Sequence, residues 1–153
     1  MADRQIHMTQ LLADDLAIGD VHDLGSHPIC EAEIIDFATK WDPSAIHCDP
    51  IAAGNGYFTG IIASGIHTLA VFQRLAATSI YPSWAIIAGR RITDVEMSRP
   101  VRPGMVLRGR ATVVHNQPDN PSRSLIAVHG NLSTGGRTVL TLRVEMYMHR
   151  KPT

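Results

Sequence analysis

Cysteine is scarce in this 153-residue chain: Cys30 and Cys48 are the only two, and they form no CxxC pair. A chain of this length can bury a core without disulfides, so two scattered cysteines favour a reducing compartment, the cytoplasm. Neither cysteine has a recognisable catalytic neighbourhood, and both are interpreted as small apolar residues. The sequence therefore predicts neither a disulfide scaffold nor a thiol enzyme.

The chain also lacks a net charge and a long apolar run. Its 14 basic residues balance 14 acidic ones, which excludes the broad positive field typical of proteins that bind nucleic acid or anionic membranes. The most apolar stretch, residues 60–77, is interrupted by Ser64, His67, Gln73 and Arg74, so we expect a core helix and no membrane span. No basic segment followed by an apolar run opens the sequence, and a secretory signal is not expected.

The overall composition is that of a packed protein. Apolar residues make up 44% of the chain and charged residues 18%, which argues against long disorder. The length suits one domain, and we expect it to span residues 1–153, with residues 1–20 as a weakly patterned N-terminal arm.

Helical periodicity occurs in two segments. From Glu31 to Trp41 the apolar residues recur at helical spacing, and Pro43 ends the pattern because proline has no amide hydrogen to donate. Ser64 is a good N-cap for a longer helix, through about Thr78, that is apolar enough to be buried on most sides. Residues 42–60, rich in proline and glycine, are predicted to form a loop with one helical turn near residues 51–53.

Period-two alternation dominates the second half of the chain and predicts half-buried antiparallel strands. The predicted strands are residues 85–97, 105–113, 124–133 and 138–148, with an earlier strand at 22–29. Two glycines at 135–136 join the last two strands into a hairpin. The sum is an α+β domain in which a four-stranded meander, with the one earlier strand, wraps the central helix.

Three segments occur in an order that resembles the signature of the MaoC-like dehydratases, the (R)-specific enoyl-CoA hydratase branch of the hot-dog fold. They are DPSAIH at 42–47, GIIASGIHT at 60–68 and RPVRPG at 99–104. An Asp and a His five residues apart are not diagnostic alone, but their place before the loop, the helix and the turn is fairly specific. Two positions depart from the family pattern: Ser44-Ala45 replaces a common Asn-Pro, and Met105 replaces a common Asp.

The resemblance implies a hot-dog domain that pairs with a second copy along the sheet edges, as a homodimer or larger assembly. It implies reversible hydration of a trans-2-enoyl-CoA to a (R)-3-hydroxyacyl thioester, with coenzyme A as part of the substrate and no metal or redox cofactor. Asp42 and His47 would handle the water. The backbone N–H of Gly65 would receive the enolate oxygen, because a helix start favours negative charge, and Ser64 would cap that helix and line the site.

Other interpretations stay open. Without the resemblance, Asp42 is more often a turn residue and His47 a structural histidine. A hot-dog thioesterase and a non-catalytic subunit that binds acyl thioesters are the rival functions, the latter because of the two departures. His47, Asp49 and His67 lack a recognised metal-ligand spacing. A coenzyme A phosphate could lie near the proline-glycine turn, but the sequence does not single out one of its four arginines, Arg90, Arg91, Arg99 and Arg102.

Overall fold

One antiparallel sheet of five strands organises the domain in the computed structural model, which describes residues 9–153. The strands are β1 (Val21–Pro28), β2 (Ile86–Met97), β3 (Val106–Asn120), β4 (Arg123–Thr134) and β5 (Arg137–His149). The helices are α1 (Glu31–Trp41), α2 (Ala45–Cys48), α3 (Pro50–Gly54) and α4 (Gly65–Thr78). The α+β class and the sheet around a central helix are confirmed.

The predicted four-stranded meander is wrong in one respect. β2 pairs antiparallel with β5 and not with β3, so the order across the sheet is β1-β3-β4-β5-β2. Alternation of apolar residues is a local property and cannot tell which edge a strand joins. β3 also runs seven residues beyond its predicted end at Val113, because a bulge between Val113 and His115 shifts the alternation there.

The segment 42–60 contains two short helices, α2 and α3, where the sequence predicts one helical turn near residues 51–53. Asp49 is the N-cap of α3, and its side chain accepts hydrogen bonds from the amides of Ile51 (3.0 Å) and Ala52 (3.1 Å). Pro50 occupies the first helical position, where its missing amide hydrogen costs nothing. Helices α2 and α3 connect α1 to the segment that leads into α4.

The N-terminal arm falls partly outside the described residues, since residues 1–8 are not described. Its remaining part packs on the sheet: Leu11 forms a parallel bridge with Trp84, and the Asn116 amide donates to the carbonyls of Ala13 and Leu16. None of the helices in residues 9–153 is long and apolar enough to cross a membrane.

Helix α4 lies close against the sheet because glycines stand opposite its large side chains. Phe72 of α4 is fully buried, and Gly130 of β4 lies beneath its ring. A Cβ atom at position 130 would lie 2.5 Å from Phe72 Cζ and 2.7 Å from Leu142 Cδ2. The absence of a side chain at Gly130 therefore sets how closely the helix and the sheet approach.

Gly130→Ala is expected to lower the free energy of unfolding by about 1–3 kcal/mol, because the added methyl overpacks a closely filled core. Urea unfolding at equilibrium measures this. Gly54→Ala, at the end of α3, is the control, because a Cβ there would meet no atom within 4 Å. Equal stabilities of the two variants would contradict the packing argument.

Candidate active site

Asp42 lies at the C-terminal end of α1, where its amide donates to the carbonyl of Ala38 at 2.8 Å. Its backbone has left helical geometry (φ −156°, ψ 72°), as expected for a residue before proline. The carboxylate is about one-third exposed and points to α2 and to the start of α4, where it contacts His47 and Ser64. The end of a helix thus delivers the carboxylate to the site.

His47, on α2, is buried, and both of its ring nitrogens have defined neighbours. Nδ1 donates to the carbonyl oxygen of Ile62 at 2.7 Å. Because a carbonyl only accepts, this bond places a proton on Nδ1 and leaves Nε2 as the basic nitrogen of the neutral ring. Nε2 lies 3.5 Å from Asp42 Oδ2.

Ser64 connects the carboxylate to α4. Its hydroxyl donates to Asp42 Oδ2 at 2.7 Å and accepts from the Ile66 amide at 3.2 Å, so the expected N-cap is confirmed. The side chain is fully buried and its only proton is committed to Asp42. Ser64 therefore has no proton left to donate to a substrate oxygen, and its contacts are those of a residue that positions Asp42.

Gly65 is the first residue of α4, and no acceptor within residues 9–153 takes up its amide hydrogen. It lines a cavity of about 360 Å³ together with His47, Phe58 and Met97. The Met97 side chain lies directly over Gly65, so a Cβ at position 65 would collide with its sulfur and methyl group. The structure thus brings His47 and Gly65 to one cavity, with Asp42 adjoining through His47 and not itself in the lining.

A second polar cluster, which the sequence did not suggest, lies around His67 on α4. His67 Nε2 is 3.5 Å from Glu33 Oε2, and His27 Nε2 is 2.8 Å from Glu33 Oε1. The His67 ring stacks on Phe37 with centroids 4.5 Å apart. Burial lowers the pKa of His67, and the Glu33 charge opposes that shift only in part. In the part of the chain described, no group of His, Cys, Asp and Glu side chains could hold a metal ion.

This buried, neutral His67 is expected to make the fold less stable in acid. Its folded-state pKa lies below the unfolded value of about 6.5, so its contribution is complete above pH 6.5 and is lost as the pH falls below it. His67→Phe should therefore lose less free energy of unfolding than the wild type between pH ~7.5 and ~5.5. Urea titrations across this range measure the slope, with His129→Phe, an exposed histidine, as control. Parallel slopes for wild type and His67→Phe would assign the acid sensitivity to other groups.

Comparison with known proteins agrees with this fold. The family profile described as "MaoC like domain" matches residues 15–133. The uncharacterized protein YdeM of Bacillus subtilis (strain 168) is 33% identical over 115 residues, which cover 75% of this chain and 82% of that protein.

Solved structures are similar over nearly the whole chain. The crystal structure of the MaoC-like dehydratase from Rhodospirillum rubrum is 31% identical with a TM-score of 0.84, covering 94% of this chain and 99% of that one. The (R)-hydratase from A. caviae involved in PHA biosynthesis has a TM-score of 0.71 at 22% identity, covering 86% and 96%, which shows the shared fold alone.

Proposed function

The chain belongs to the MaoC-like dehydratase family, and from this membership we propose that it adds water reversibly to a trans-2-enoyl-CoA to give a (R)-3-hydroxyacyl thioester. One observation carries the proposal: His47, whose Nε2 lies 3.5 Å from the Asp42 carboxylate, shares a cavity with Gly65, whose amide has no acceptor within residues 9–153. Hydration needs a base for water, an acid for C2 and a donor for the thioester oxygen.

The water would lie between His47 and Asp42. A water molecule within about 2.8 Å of both His47 Nε2 and Asp42 Oδ2 donates one hydrogen bond to each atom. An oxygen lone pair of this water is then directed away from the two side chains. As that oxygen adds to C3, Nε2 accepts the proton, and the nearby Asp42 carboxylate stabilises the imidazolium that forms. The Ile62 carbonyl holds the ring in the orientation this needs.

The electrons displaced from the double bond move to the thioester oxygen. The Gly65 amide, at the positive end of α4, would donate to this enolate oxygen and stabilise its charge. Collapse of the enolate then takes the proton from Nε2 onto C2, which returns His47 to its neutral form. The hydroxyl group and the hydrogen thus come from one water and add to the same face of the double bond, which is a syn addition. The steps leave His47 and Asp42 as they began and involve no electron transfer, so we propose the reaction without a metal or redox cofactor.

A hydration assay on short and long enoyl-CoA substrates tests the proposal. Crotonyl-CoA and trans-2-octenoyl-CoA should lose their conjugated absorbance on addition of the protein, and chiral analysis should find the (R)-3-hydroxyacyl product. Release of free coenzyme A thiol would indicate a thioesterase instead. Binding without any loss of absorbance would indicate a non-catalytic acyl-thioester subunit.

We also propose that the protein is a homodimer paired along β2. This strand is one edge of the sheet, and it exposes apolar side chains at Ile87, Ile92 and Met97. An edge with unpaired backbone groups and apolar side chains favours pairing with another strand. Sedimentation equilibrium should give twice the chain mass of 16.7 kDa; a monomer at micromolar concentration would overturn this assignment.

A further inference from the structure

A groove adjoins the candidate active-site cavity. It encloses about 440 Å³ and shares Arg99, Pro100 and Val139 with that cavity. A ligand too long for the first cavity can therefore continue into the groove across the shared residues. Its remaining lining residues are Arg102, Met105, Thr134, Gly135 and Arg137.

In the part of the chain that the structure describes, the groove lining carries three positive charges and no negative one. Its lining contains Arg99, Arg102 and Arg137 but no Asp or Glu. Within residues 9–153, none of the three guanidinium groups lies within 4.0 Å of a carboxylate oxygen. Met105, whose side chain is apolar, also lies in the lining.

One of the three guanidinium groups is anchored by a hydrogen bond, and a second lies near the loop before α4. Arg99 Nη1 donates to the carbonyl of Thr138 at 2.7 Å, which anchors the side chain beside β5. Arg102 Nη1 lies against Gly60, 3.7 Å from where a Cβ would stand, in the loop that leads to α4. Their remaining N–H groups are available to an anion, and a planar guanidinium binds phosphate through paired hydrogen bonds.

Arg90 and Arg91, in contrast, both lie within ion-pair distance of a carboxylate. Arg90 Nη1 lies 2.7 Å from Glu145 Oε2, and Arg91 Nε lies 3.7 Å from the same oxygen. Burial tends to raise the pKa of Glu145, but the hydrogen bond from Arg90 and the charge of Arg91 contribute to a net lowering, so Glu145 is ionised. Neither arginine lines the groove.

We propose that Arg99, Arg102 and Arg137 bind the phosphate groups of coenzyme A while the acyl-pantetheine arm enters the neighbouring cavity. The proposal rests on the proposed function for the identity of the thioester. Three uncompensated arginines match the several phosphates of coenzyme A better than the single phosphodiester that links pantetheine to a carrier protein. The groove therefore selects coenzyme A as the carrier of the acyl group.

Direct binding tests the groove independently of catalysis. Isothermal titration calorimetry with coenzyme A and with adenosine 3′,5′-bisphosphate should give dissociation constants about tenfold higher for Arg99→Gln and for Arg137→Gln than for the wild type. This corresponds to a loss of about 1.4 kcal/mol of binding free energy. Met105→Asp should weaken binding similarly, whereas Met105→Leu should not. Arg108→Gln, an exposed arginine outside both cavities, is the matched control. Unchanged constants in the groove variants would overturn the proposal.

Kinetics separate this proposal from the reaction itself. In the arginine variants, the ratio of kcat/KM for crotonyl-CoA to kcat/KM for crotonyl-pantetheine, which lacks phosphate, should fall about tenfold. If the wild type hydrates both substrates but the variants match it, the groove proposal fails and the proposed function stands. If the wild type hydrates neither substrate but binds coenzyme A through these arginines, the proposed function fails and the groove proposal stands. Strong preference for the enoyl group on acyl carrier protein would overturn the choice of coenzyme A.

Discussion

Replacing His47 with glutamine is expected to lower kcat for crotonyl-CoA hydration about a thousandfold, because the variant has no nitrogen that can accept and return a proton at Nε2. General acid-base catalysis by one positioned side chain contributes about 10²–10⁴-fold. The glutamine amide can still donate a hydrogen bond to the Ile62 carbonyl, so the bond that positions the side chain at residue 47 can be kept. Stopped-flow or steady-state absorbance assays measure kcat and KM separately.

Asp42→Asn provides the partner measurement. The amide keeps an oxygen that can accept from the Ser64 hydroxyl but loses the negative charge beside Nε2. We expect kcat to fall about a hundredfold or more with KM little changed. Because base and carboxylate act on one water, the double variant should be scarcely slower than His47→Gln alone. His129→Gln controls for the loss of an exposed histidine; wild-type turnover in both site variants would remove these residues from the mechanism.

Gly65→Pro should lower kcat about a hundredfold by removing the one amide hydrogen assigned to the enolate oxygen. Proline is well tolerated at the first position of a helix, where it leaves the intrahelical hydrogen bonds intact. Ser64, the preceding residue, already has φ −55° and ψ 141°, a conformation that a following proline favours. The substitution therefore removes a donor with little change to the helix.

Gly65→Ala separates the steric effect from the lost hydrogen bond. Its Cβ would collide with Met97, as a proline ring would, but the amide hydrogen remains. Adding Met97→Ala to each variant removes the collision from both. With Met97 shortened, Gly65→Ala should recover most of its kcat and Gly65→Pro should not. Equal recovery of the two would mean that the amide hydrogen plays no part in the reaction.

The sequence predicts the local elements of this fold well. Periodicity alone places α1 and most of the strand residues, and Ser64 as N-cap marks the start of α4. The helical turn predicted near residues 51–53 is part of α3, whose local signal is Asp49 followed by Pro50, whereas α2 was not predicted.

Long-range contacts are beyond such patterns. The pairing of β2 with β5 joins residues some fifty positions apart, and no local alternation encodes it. The bond between Ser64 and Asp42 spans 22 positions, and the arginine groove brings Arg137 to Arg99 across 38. The resemblance to a family nominated Asp42, His47 and Gly65 as site residues, but only the folded chain gives the Ile62 carbonyl that sets which nitrogen of His47 is basic.

One hydroxyl group, that of Ser64, both starts α4 and holds the Asp42 carboxylate. If the first turn of the helix frays, both bonds are lost together, since the serine that caps the turn moves with it. Ser64 is fully buried, so such an opening also has to expose part of the core. Loss of the active arrangement is therefore coupled to loss of core packing, and on heating the protein should lose turnover and its fold over the same temperature range.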